Sequence, residues 1–136
     1  MSADPRTGRL AADDSSARPV IVCLCGSTRF FNQFQLANYE RTMTGEIVLS
    51  VGFYPHSIHH GEGVGHDSDA KRRLDELHLR KIDLADYVLV VSDSSGYFGQ
   101  STWREIDYAR SHGKPVKFVH SNAQRRAALL TEGVPL

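Results

Sequence analysis

Four short, largely apolar runs punctuate this 136-residue chain, at residues 20–24, 47–51, 87–91 and 116–119, the first and third uninterrupted. Runs of that length without polar alternation suit strands buried on both faces. Each is followed by a helical pattern. Phe30, Phe34 and Ala37 share one face of the first helix, and Leu74, Leu77, His78 and Ile82 line one side of the second. Ile106 and Ala109 point inward on the third, and residues 122–130 make a short closing helix. Ser27 or Thr28 caps the first helix and Asp67 or Ser68 the second. Gly45 stops the first, and His112-Gly113-Lys114-Pro115 stops the third. Alternation with short connections predicts an α/β fold: a single-domain three-layer parallel sheet, flavodoxin/Rossmann-like, with strand order of the 2-1-3-4(-5) kind. Residues 1–18, rich in Ser, Asp, Ala and Arg, read as a disordered leader, and 19–136 as the folded domain.

In that order the direction of winding reverses between strands one and three, where open α/β sheets bind ligands. Both strands run into glycine-containing loops. The first is Cys25-Gly26-Ser27-Thr28-Arg29. Its glycine lets backbone approach a ligand, its hydroxyls donate, the following helix N-terminus favours an anion, and Arg29 can clamp phosphate. The second is Gly96-Tyr97-Phe98-Gly99-Gln100-Ser101-Thr102-Trp103-Arg104-Glu105. Gly96, Tyr97, Gly99, Ser101 and Thr102 join Gly26, Ser27, Thr28 and Arg29 as candidate binding residues. Glu105, expected on the first turn of the third helix, is the leading candidate for the group that reacts. Thr102 and Glu105 also have capping-box spacing, in which the carboxylate would serve its own backbone; both readings stand on spacing alone.

Composition narrows the partners. Sixteen basic residues balance 16 acidic ones, so the chain lacks the basic surface that nucleic acid or an anionic membrane rewards. There is no apolar signal core and no run long enough to span a bilayer, so a cytoplasmic protein is expected. Cys23 and Cys25 face the same side of the first strand and read as reduced, packed thiols, without a second Cys/His pair to make a metal site. His56, His59, His60 and His66 share a polar loop at 52–66 with no frame to fix ligand geometry. No metal and no cofactor are expected. Gly61-Glu62-Gly63-Val64-Gly65 lies late in that loop, not in the first strand-to-helix turn, and reads as a lid rather than a dinucleotide fingerprint.

Three segments together resemble the nucleoside 2-deoxyribosyltransferase-like superfamily, which includes 2'-deoxynucleoside 5'-monophosphate N-glycosidases. They are Cys25-Gly26-Ser27-Thr28-Arg29; Ile82-Asp83-Leu84-Ala85-Asp86 leading into Val88-Leu89-Val90-Val91; and residues 101–109 followed by Gly113-Lys114-Pro115-Val116. The resemblance implies that Glu105 is a nucleophile that attacks the anomeric carbon of a small-molecule nucleoside or nucleotide and displaces the base. It implies phosphate contacts from the Gly26-Ser27-Thr28-Arg29 element and from Ser101, and a homodimer or larger homo-oligomer. Where such proteins carry a first-strand Tyr bonded to the nucleophile, the nearest match here is Cys23. Where they carry an Asp that helps protonate the leaving base, the register offers His78, with Asp75 and Asp83 a turn away on either side.

Overall fold

The apolar runs do become strands. The computed structural model describes residues 18–51 and 69–136. Its elements run β1 (Ile21–Cys25), α1 (Phe31–Met43), β2 (Ile47–Leu49), α2 (Asp69–Leu84), β3 (Tyr87–Val90), α3 (Gln100–Ser111), β4 (Val116–Phe118) and α4 (Ser121–Thr131). The strands form one parallel sheet in the order β2-β1-β3-β4, as the alternation predicts. Cys23 pairs in register with Leu49 on one side and Val88 on the other, and Cys25 with Val90. The leader at 1–17, the histidine loop with its glycine motif, and the Asp67 or Ser68 cap lie outside the described residues. Among the described residues, no helix is long and apolar enough to cross a membrane.

Strand periodicity sorts β1 between two cores. Val22 and Leu24 pack with Phe30, Phe34 and Ala37 from the α1 side. Cys23 and Cys25 face the other way, onto Ile82 of α2 and Ile106 and Ala109 of α3. Burying such side chains contributes roughly 1.5–3 kcal/mol each, and the fully buried set includes Phe34, Leu24, Ile82 and Ile106. Two helix stops behave as read. Gly45 and Gly113 take positive φ, and their N–H groups donate to Thr42 and Arg110 carbonyls at 2.9 and 3.1 Å.

Three details differ from the sequence reading. Ser27 and Thr28 do not cap α1: the helix starts at Phe31, its N-cap is Phe30, and no side-chain cap bond forms. Ser27 instead closes a turn ahead of the helix, its Oγ accepting from the Arg29 N–H at 3.3 Å and its carbonyl from the Phe30 N–H at 3.1 Å. On α2 the buried residues are His78 and Ile82, whereas Leu74 and Leu77 are 40% and 53% exposed. The two leucines extend the apolar pattern around the helix beyond the arc that the sheet covers. Finally, Arg18 belongs to the folded unit rather than the leader. Its guanidinium makes two 2.9 Å bonds to Asp86, whose Oδ2 also accepts from the Ile21 N–H at 2.8 Å.

That last contact gives a pH prediction. Hydrogen bonds from Arg18, then from the Ile21 backbone, lower the Asp86 pKa from 3.8 to about 2. A carboxylate with a depressed folded-state pKa stabilises the fold above its unfolded pKa and loses that contribution as pH falls toward the folded value. Asp86→Asn is therefore expected to lower the urea midpoint at pH 7, with the difference from wild type closing between about pH 4 and pH 2. Parallel unfolding curves across that window check it. A difference that persists at pH 2 would mean that the substitution acts through something other than this charge.

Candidate active site

At the carboxyl ends of β1 and β3 the chain splits. The Val91 N–H donates to the Cys25 carbonyl at 2.7 Å, holding the two strand ends together as their loops part. Gly26 and Gly96 make the departures possible. Both have positive φ, 150° and 76°. A Cβ on Gly26 would collide with the Val91 carbonyl oxygen, and one on Gly96 would lie 2.5 Å from the Asn122 and Ala123 backbone. The Gly96 loop is thus pressed against the start of α4.

Glu105 enters from α3, but not from the first turn. The N-cap of α3 is Gly99, in extended conformation (φ −100°, ψ −168°), and its carbonyl accepts from the Trp103 N–H at 3.0 Å. Gln100 is therefore the first helical residue, Thr102 the third and Glu105 the sixth. This corrects the first-turn expectation and removes the capping box, since Thr102 is not the cap. Thr102, Ile106 and Ala109 form the buried face of α3. Glu105, three residues after Thr102, sits on the flank of that face, half-buried.

His78 completes the group from α2. It is 4% exposed, and its Nε2 lies 3.6 Å from Cys23 Sγ and 3.4 Å from Cys25 Sγ. Both cysteines are reduced and buried, as expected. The sequence reading did not place His78 on them, however. No second Cys/His pair joins the thiols, but one further group that could ligate a metal, His78, reaches them from 53 residues away.

The four groups perturb one another. Burial raises the Glu105 pKa from 4.5 to about 7, against the pull of the His78 charge. The Cys25 thiol donates to Cys23, holding Cys23 below the ordinary thiol range, while burial also drives Cys25 well above it. Burial lowers the His78 pKa, but its bond to Cys23 and the charges on Glu105 and Cys23 outweigh that and raise it. Near neutrality the cluster can both supply and take up protons, which is the condition for general acid–base work.

The loop residues gather around Tyr97. Arg29 stacks over the Tyr97 ring at 4.3 Å, Phe30 meets the same ring edge-on at 6.4 Å, and Arg126 of α4 approaches it to 5.4 Å. Arg126 Nε also donates to the Phe98 carbonyl at 3.1 Å. Two guanidinium groups flanking one aromatic ring make a site suited to an anion. Ser101, half-buried, occupies the first turn of α3 next to buried Thr102. A Cβ on Gly99 would lie 3.1 Å from the Tyr97 hydroxyl, so that ring folds down over the helix start.

Asp83 does not join the site. It lies near the C-terminal end of α2, where the chain turns into β3, at the opposite edge of the sheet. There Oδ1 accepts from the Tyr108 hydroxyl at 2.6 Å and Oδ2 pairs with Arg80 at 2.9 Å. Its candidacy as proton donor is corrected on that ground. Asp75, one turn before His78, is on the correct side. Its charge is felt at Glu105, and Lys71 pairs with it at 2.7 Å. Its i, i+3 spacing from His78 was the available sequence signal. Arg126 had none, because the docking of α4 on the Gly96 loop is a tertiary fact. No family model, curated protein or solved structure matches the chain.

Proposed function

We propose that this protein cleaves the N-glycosidic bond of a nucleoside 5'-monophosphate or nucleoside, ribo- or deoxyribo-, through a Glu105 nucleophile, by hydrolysis or by base transfer. The observation that carries this reading is a half-buried carboxylate, Glu105, that feels the charge of His78, with His78 itself 3.4 Å from Cys25 at the carboxyl end of β1. The resemblance to nucleoside 2-deoxyribosyltransferase-like proteins supports it independently of the geometry.

The chemistry follows that of a retaining glycosidase. Ionised Glu105 attacks the anomeric carbon, the carbon–nitrogen bond breaks, and its electron pair leaves with the base. A proton reaches the departing nitrogen from His78 or Asp75, the two donors on this side of α2. Water, or a second base, then attacks the glycosyl ester and frees Glu105. Arg29, aided by the Gly26 backbone and the Ser27 and Thr28 hydroxyls, holds a 5'-phosphate, with Arg126 close by. The exposed apolar residues Leu36, Tyr39 and Met43 on the outer side of α1 suit a homo-oligomer, and nucleotides are available to it in the cytoplasm. A non-catalytic nucleotide-binding module is the second reading. It is favoured by one feature: burial holds the Glu105 carboxyl up at about 7, against the charged form that must attack.

Incubation with a panel of nucleosides and 5'-monophosphates, with free base followed by chromatography, tests the proposal; base release from at least one member is expected. Calorimetry on the same panel separates the readings. Saturable binding without base release selects the binding module, and no binding at millimolar concentration contradicts both.

A further inference from the structure

We infer that Cys23, Cys25 and His78 form a binding site for one thiophilic divalent cation of the zinc class. The Sγ atoms of Cys23 and Cys25 and a ring nitrogen of His78 all lie within 4.8 Å of one another, and all three residues are buried. A tetrahedral zinc centre has bonds of about 2.3 Å to sulfur and about 2.0–2.1 Å to nitrogen, which sets the sulfur–nitrogen edge at about 3.5 Å. The observed edges are 3.6 and 3.4 Å. The donor set is therefore spaced for a shared central ion without rearrangement of the strand or helix. Two sulfurs and an imidazole select zinc-like cations over magnesium or calcium, which require oxygen. Three protein donors leave the fourth tetrahedral position to water or an exogenous ligand.

The arrangement has no evident structural purpose without an ion. A core histidine is ordinarily oriented by a carbonyl or carboxylate at its second nitrogen. Here Nδ1 has no hydrogen-bond partner among the described residues, and only the two sulfurs orient the ring. Binding releases any thiol and imidazole protons to solvent, leaving two thiolates and a neutral ring on the metal. Because His78, a proton donor in the proposed reaction, would then be coordinated, an occupied site and that donor exclude one another. Zinc is thus a reversible inhibitor of the glycosidic activity; this consequence alone rests on the proposed function, and the site itself does not.

The direct test is a cobalt(II) titration of the full-length, chelator-treated, reduced protein. Expected are visible bands of tetrahedral cobalt and a near-ultraviolet thiolate-to-metal band, saturating at one equivalent and displaced by zinc. The chain has two cysteines, so a two-thiolate band in the monomeric complex identifies this pair without any variant. Ions held by histidines alone would give no such band. Cys25→Ser and His78→Gln, checked for folding by circular dichroism, should each weaken zinc binding by at least on the order of 100-fold. No thiolate band in wild-type protein, or unchanged affinity in both folded variants, overturns the site. Zinc bound through the thiolates without effect on base release overturns the inhibition but leaves the site. If no base release occurs at all, the cobalt spectrum still decides the question.

Discussion

Glu105→Gln is expected to lose at least about 10⁴-fold in the rate of base release, the scale on which removing a covalent nucleophile acts, while the folded protein becomes more stable. The two effects share one cause. Burial pushes the Glu105 pKa from 4.5 to about 7, so the fold disfavours the very form that must attack. A group whose folded pKa is raised costs nothing below its unfolded pKa, and stability is lost as pH rises through the folded value. The gain in Glu105→Gln should therefore be absent below about pH 4.5, grow toward pH 7 and stay level above it. At about 1.4 kcal/mol per tenfold change in proton affinity, discounted for the part of the side chain that water still screens, it is about 2 kcal/mol at pH 8. Urea unfolding of metal-free protein at pH 4 and pH 8 measures it. Equal stability at pH 8 would mean that the carboxylate is well solvated and the site more open than its contacts imply. A variant that keeps its activity would remove Glu105 from the chemistry.

The second large effect concerns Arg29. Charge-assisted bonds from a guanidinium to phosphate contribute about 1.5–3 kcal/mol, so Arg29→Ala should raise KM for a 5'-monophosphate roughly 10- to 100-fold. The matching nucleoside should be almost unaffected. Arg29→Lys should fall between the two, since an ammonium keeps the charge and loses the planar fork. The contrast between substrates is the informative quantity. Arg29 also stacks on Tyr97, and a loss of equal size on nucleoside and nucleotide would show that it serves the loop rather than a phosphate.

The sheet was legible in the chain because its information is local. Residues 20–24 and 87–91 are apolar without interruption, which suits the two central strands buried on both faces. Gly45 and Gly113 were legible for a similar reason, since each stops a helix by its own backbone freedom. The cap on α3 was not. Thr102 and Glu105 have the right spacing for a capping box, but the Gly96 loop docks on α4 and hands the cap to Gly99, three residues earlier. Helix phase therefore depended on a contact between distant segments. The sulfur cluster failed for the same reason. Cys23 and Cys25 were correctly placed on one face, yet which residue of α2 would meet them depended on the depth at which that helix crosses the sheet. Leu74 and Leu77 were as apolar as a core face needs, and the packing chose His78 and Ile82 instead. Asp83 was misplaced by the same uncertainty in register.

The account turns on whether the Glu105 side chain takes the sugar. A 2'-fluoro-substituted nucleotide slows both glycosyl transfer steps by destabilising the oxocarbenium-like transition state, so a covalent ester should accumulate. Trypsin cuts after Arg104 and Arg110 and releases the peptide Glu105-Ile106-Asp107-Tyr108-Ala109-Arg110. Mass spectrometry of zinc-free protein should find that peptide heavier by one fluoroglycosyl phosphate, with fragmentation placing the added mass on Glu105 and none on Asp107. Base release with the adduct on any other residue, or with turnover but no adduct at all, would contradict the mechanism.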